Sequence, residues 1–228
     1  MLTVKLVLEK LDKEGKLLQR REQPCRSFVR NFMALLYVAH AQVPSSNPHN
    51  MTDVGGTTRP VDGSSGDIYG LYHYRKSNLK IGSLPGLGEM ACLAGATNGG
   101  GIYPIGITIQ GEKIGIQVGT GSTAPTPTDT AMVIRIAHGR NAGQLEYGGC
   151  ELIGITFSEP TGEFTIRRYF TNASGGSITV NEVGLHAAGT QIGTAAWPFL
   201  IARDVVSPGI TVADGEILRV IYVPQITV

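Results

Sequence analysis

Charge is what this 228-residue chain has least of. Asp, Glu, Lys and Arg make up 16% of it, against roughly 25% in an ordinary soluble domain. Nineteen basic residues against 18 acidic ones leave a formal charge of +1, so no net field draws in nucleic acid or an acidic substrate. Cysteine is nearly absent too. Cys25, Cys92 and Cys150 stand far apart, with no C-x-x-C and no histidine at metal spacing, which argues against a structural zinc site and an even disulfide framework. No run of about 18 apolar residues offers a membrane helix. The opening LTVKLVLEK alternates and carries two lysines where a signal peptide needs an unbroken apolar stretch. Synthesis in a cytosol, with no membrane span, is the expectation.

Catalytic patterns are missing as well. The histidines His40, His49, His73, His138 and His186 lie scattered, and the chain has no H-E-x-x-H, no G-x-S-x-G elbow and no Gly-Lys-Ser/Thr. Glu146, Glu151, Glu163 and Glu182 stand by turns or on strand faces and read as solvated or interface charges. His186 reads as an edge or interface residue, and the lone Trp197 as an apolar plug. The chain is not expected to be an enzyme; no catalytic residue, cofactor-binding residue or metal ligand is assigned.

What is there in quantity is glycine, 31 residues of it, set among strand patterns. Leu2, Val4, Leu6 and Leu8 alternate against Thr3 and Lys5, and the turn at Asp12 to Gly15 suits a hairpin into KLLQRR. SFVRNFMALLYVAH places Phe28, Phe32, Leu35, Leu36 and Ala39 on one helix face, with Ser27 at the N-cap position. From about Val43 to Gly111 the composition shifts to Gly, Ser, Thr, Asn and Pro with aromatic snatches, an ordered loop-rich excursion. Then come IGIQV, AMVIRIA, QLEYGGCELIGITF, EFTIRRYF, SITVNEVGLHA, FLIARDVV and ITVADGEILRVIYV, punctuated by Gly, Asn and Pro. The spacing predicts a mainly β fold, an antiparallel β-sandwich of jelly-roll-like type with one N-terminal helix. Three regions follow: a strand, hairpin and helix bracing the core (1–42), the excursion (43–111) and the sandwich (112–228). TNASGGSIT and Asp214-Gly215 read as tight hairpins, and the last strand as central and buried on both faces until Pro224 ends it or moves it to an edge. The sequon Asn172-Ala173-Ser174 reads as turn composition.

VGTGSTAPTPTDTAM matches the G-x-G-x-x-A spacing of a phosphate cradle. That cradle needs a helix at its third small residue. Here Pro125 and Pro127 follow, and Pro127 disfavours helical geometry at Thr126. Gly119 and Gly121 are expected to be hinges where a strand ends, with Thr128, Asp129 and Thr130 capping the turn into AMVIRIA.

The same stretch, VGTGSTAPTPTDTAMVIRI, resembles a pattern in structural proteins of tailed bacteriophages. TIRRYFTNASGGSITVNEVGLHA, LIARDVVSPGITVADGEILRVIYV and SFVRNFMALLY are similar to other parts of such proteins, so residues 25 to 41 and 117 to 223 carry the resemblance. It implies a non-catalytic virion subunit, made in the host cytoplasm and placed in the virion as a capsid-decorating, tail or baseplate component. Its partners would be other virion proteins and copies of itself, with no direct nucleic acid and no membrane. Candidate interface residues are Arg167 and Arg168 at one strand centre, and Tyr69, Tyr72 and Tyr74 in the excursion. With Asp67, those tyrosines serve the alternative reading, a module that binds a host receptor or glycan.

Overall fold

The computed structural model describes residues 2–25, 27–41, 49–62, 80–81, 95–96, 103–104, 111–189 and 197–227. In chain order the elements are β1 (Leu2–Leu11), β2 (Leu17–Cys25), the helix α1 (Arg30–Ala41), β3 (His49–Thr52) and β4 (Thr58–Asp62). The two-residue strands β5 (Lys80–Ile81), β6 (Gly95–Ala96) and β7 (Tyr103–Pro104) come next, then a 3-10 turn at Gly111–Lys113. The rest is β8 (Gly115–Gly119), β9 (Glu146–Ser158), β10 (Thr161–Thr171), β11 (Ile178–Gly189), β12 (Trp197–Val212) and β13 (Ile217–Thr227).

Two antiparallel sheets carry the fold, β2-β1-β13-β10-β9 and β12-β11-β8. They share one core: Leu6, Leu8, Ile166, Phe170, Leu218, Val220 and Tyr222 come from the first, Ile116, Val118, Val183, Leu185, Ile201 and Ile210 from the second. The chain is thus mainly β, in the manner of a β-sandwich, with one helix among the described residues. The strand order does not supply the jelly-roll connectivity. β1–β2, β9–β10 and β11–β12 are hairpins within one sheet rather than crossings between sheets. β1 sits inside the larger sheet, paired with β13 through Leu6↔Tyr222 and Leu8↔Val220, so the N-terminus is part of the core rather than a brace. No described helix is long and apolar enough to cross a membrane.

Several local expectations are corrected by long-range pairing. AMVIRIA is not a strand. It lies beside β8, where Thr120 N donates to Ile134 O and Ile136 N to Val118 O, but a side chain described below takes the amides of Val133 and Ile134. β13 is central as expected, yet from Ile217 to Tyr222 only Leu218, Val220 and Tyr222 are buried while Ile217, Arg219 and Ile221 are half-exposed; Val223 is buried as well. Pro224 does not end it, since the strand runs on with Pro224 opposite Val4. The helix starts at Arg30, not after Ser27: Phe28 is still extended, bridged to Ala202, and Ser27 O accepts from Arg203 N. Phe28 and Phe32 stack at 4.1 Å and, with Leu35, pack on the core.

The largest correction concerns the two turns read as hairpins. β10 pairs with β9 and β13, β11 with β8 and β12, so TNASGGSIT crosses from one sheet to the other. Asp214-Gly215 does the same between β12 and β13. Only Gly175 and Gly215 of these glycines have positive φ, 77° and 83°. The two arches are laced together. Asn172 N donates to Glu216 O, Gly215 N to Asn172 O and Gly175 N to an Asp214 carboxylate oxygen at 2.8 Å. Asn172 is fully buried; its Nδ2 donates to Gly176 O at 2.7 Å and Val212 O at 2.8 Å, and its Oδ1 accepts from Ser174. The amide that a glycosyl group would need is therefore spent inside the corner. Asn172→Ala orphans two carbonyls at the junction of both sheets and is expected to cost about 2 kcal/mol in urea unfolding. A loss under about 0.5 kcal/mol would show that water replaces the amide.

Sheet edges carry backbone groups that invite pairing, and three stretches of edge are covered here. The 134–136 segment lies along β8. Along β12, Val29 N donates to Ile201 O, Val54 N to Pro198 O and Gln23 Nε2 to Val205 O. The start of β9 is met by His138, whose Nδ1 accepts from Tyr147 N at 2.9 Å. Two stretches stay exposed: β2 around Leu17 and Leu18, and β9 from Ile153 onward.

Candidate functional site

Three places concentrate unusual side chains. The first is the GTG stretch. Glu182 on β11 is fully buried, and its carboxylate accepts from Val133 N at 2.9 Å, from Ile134 N at 3.4 Å and from Arg203 Nε. Arg203, on β12 and 1% exposed, also donates to Asp129 Oδ2 at 2.6 Å and Thr123 O at 2.7 Å. Asp129 in turn accepts from Thr126 N and Oγ1. Burial pushes the Asp129 carboxyl up, but the Thr126 hydrogen bonds and Arg203 outweigh it and hold it below the usual carboxylate range. A Cβ at Gly119 would lie 2.5 Å from Ile134 O and 2.7 Å from Glu182 Oε2; one at Gly121 would lie 2.7 Å from the same oxygen. The GTG spacing thus makes room for an anion, as in a phosphate cradle, but the anion is the protein's own Glu182. This corrects the expectation that Glu182 is solvated or at an interface. Asp129 does cap its turn, through Thr126.

The second place is the Arg167–Arg168 pair. Arg167 lies on the outer face of the larger sheet, held to Glu151 Oε2 at 2.8 Å through Nε. Arg168 is 2% exposed, which corrects its assignment as an interface residue. Its guanidinium donates to Gly148 O, Ile114 O and Ile116 O at 2.7 to 3.1 Å and lies over the Tyr147 ring at 4.8 Å. His186, 2% exposed, sits in the same region with Nδ1 against Lys113 O at 2.8 Å, so it too is interior rather than an edge residue. Both tie the start of β8 across the core; neither faces space that a substrate could enter.

The third place is the far end of the β9–β10 hairpin. The ladder shifts there: Thr165 faces Ile153 but Glu163 faces Thr156, so Gly154 and Ile155 together oppose Phe164. Such a bulge moves the following side chains to the other face. Phe157 then faces Gly162 and lies across it, since a Cβ on Gly162 would meet its ring carbons at 2.9 Å. Ile226 of β13 also faces Gly162. Ile155, Phe157, Phe164, Pro224 and Ile226, together with Glu159 and Glu163, line a groove of about 520 Å³. Ile155 is 65% exposed, Phe157 83% and Ile226 57%. These large apolar side chains are open on a strand whose outer edge pairs with no other strand among the described residues, an exposure unusual for a soluble domain.

Of the sequence-derived interface residues, Arg167 lies on one strand of this arm, opposite Glu151; Glu163, read as a solvated or interface charge, lines the groove. Tyr69, Tyr72, Tyr74 and Asp67 lie outside the described residues. The arm itself was missed, although CELIGITF already departs from alternation at Gly154, the signal of a bulge. Among the described residues no group of three or more His, Cys, Asp or Glu could hold a metal ion. No family model, no curated protein and no solved structure matches the chain.

Proposed function

We propose that this chain is a non-catalytic structural subunit of a tailed-phage virion, a capsid-decorating, tail or baseplate component that works by docking onto neighbouring subunits. The observation that carries the reading is the apolar arm of β9 and β10. Its exposed isoleucines and phenylalanine represent a standing cost that a partner's contact would offset. The low charge of the chain supports it, because neutral faces can be buried between subunits at little desolvation cost. So does the sequence resemblance described above.

The test is incorporation into particles. The paired variant Ile155→Asp with Phe157→Asp alters exposed positions, so its melting temperature is expected to stay within about 3 °C of the parent. Its copy number in purified particles is expected to fall at least tenfold. Normal incorporation of a folded variant would remove the arm from assembly, and selective binding on a glycan array would move the protein to the receptor-binding reading.

A further inference from the structure

The groove is lined mainly by apolar side chains together with two carboxylates. Its lining includes Glu159 and Glu163 and no cation; Glu163 accepts from Gln225 Nε2, and among the described residues Glu159 makes no ion pair. An occupant of matching chemistry is an apolar segment that carries a positive charge. The chain presents one at the opposite edge of the same sheet. The β1–β2 ladder shifts at Lys10/Leu11, and this irregularity leaves both Leu17 (49%) and Leu18 (47%) exposed. Lys16 precedes them at the hairpin tip, exposed and without an ion pair among the described residues. Nearby cations are already engaged: Lys13 with Glu14, Arg20 with Glu9 and Glu22, and Arg21 with Pro208 O.

We infer that the groove of one copy receives the Lys16-Leu17-Leu18 tip of a second copy, with Lys16 placed between Glu159 and Glu163. β2 and β9 are the two outer strands of one five-stranded sheet, so a single chain cannot bring them together and the contact runs head to tail. A heterologous contact of this kind closes into a ring or continues as a filament. A two-fold pairing of groove with groove is disfavoured, because it would bring the carboxylates of both grooves together. The exposed side chains and strand edges offer on the order of 1,000 Å² per contact, the low end for a specific interface, so dissociation constants in the micromolar range or weaker are expected. This inference rests on the assembly reading above.

The test uses two full-length variants with complementary defects, Leu17→Asp (tip) and Phe157→Arg (groove), each checked for folding by thermal melting. In sedimentation up to about 1 mM chain, the parent is expected to form oligomers above a dimer, each variant alone to stay monomeric, and a 1:1 mixture to stop at a heterodimer through its one intact pair of surfaces. If Leu17→Asp self-associates like the parent, the tip is not the occupant. A monomeric mixture, or a parent that stays monomeric, also overturns the inference. The charge exchange Lys16→Glu with Glu159→Lys provides a second reading: each single change is expected to weaken association at least fivefold, and the double change to recover most of it. Should the parent enter particles normally yet fail to self-associate, the virion assignment stands and this contact falls.

Discussion

Glu182→Ala is expected to lower stability by about 3 to 5 kcal/mol, the cost of removing one partner from a buried ion pair. In a domain stabilised by roughly 5 to 15 kcal/mol, that is about a fifth of the total or more. The loss has two parts. Arg203, 1% exposed, would keep its charge with only Asp129 beside it, and the amides of Val133 and Ile134 would lose their acceptor. The 120–137 loop, which covers one edge of the smaller sheet through Ile134 and Ile136, should then loosen with it. Urea unfolding measures the first effect, and hydrogen exchange at Ile136 the second. Replacing both charges, Glu182→Met with Arg203→Met, should cost less than the two single changes added together, since neither ion is left stranded. Strict additivity would show that the two side chains act independently, contrary to the geometry.

Alternation along the chain made most strands legible, and turn chemistry located most reversals. Neither says which sheet a strand joins. TNASGGSIT and ADG contain the residues of a tight turn, and the same Gly-rich turn serves a hairpin or an arch; the choice lies in β13 pairing with β1, more than 200 positions away in sequence. Arg168 was legible in principle. It shares parity with Ile166 and Phe170 in FTIRRYF, and both are buried, so one of the two adjacent arginines had to point inward. Gly119 and Gly121 read in the sequence as hinges where a strand ends, but neither has a positive φ; what requires glycine there is the close approach of a carboxylate more than 60 positions on, which no local pattern could name. The arm was hidden by its bulge, because a one-residue slip transfers Ile155 and Phe157 to the opposite face.

Acid should find His186 as a second weak point, distinct from the Glu182 network. Burial is the largest cause and pushes its pKa down to about 4; the hydrogen bond with Lys113 O pulls it up, and the neighbouring Arg135 and Arg168 add smaller downward pushes. The geometry gives the cause in atoms. Nδ1–H donates to the Lys113 carbonyl, and Nε2 has no hydrogen-bond partner among the described residues. A proton added there would be buried, without an acceptor, near two guanidinium groups. Because the unfolded chain takes up that proton near pH 6.5 and the folded chain only near pH 4, the stability due to neutral His186 is complete above pH 6.5. It is lost progressively as pH falls through that interval, on the order of 3 kcal/mol in all. Asp129, held below the usual carboxylate range, adds its own loss as pH falls from the ordinary carboxylate pKa downward, so its window lies largely below that of His186. The difference in unfolding free energy between the parent and His186→Gln, followed from pH 7.5 to 4, isolates the histidine. That difference should shift by about 3 kcal/mol in favour of the variant as pH drops. A pH-independent difference would mean that water reaches Nε2 and that the ring titrates as it does in the unfolded chain.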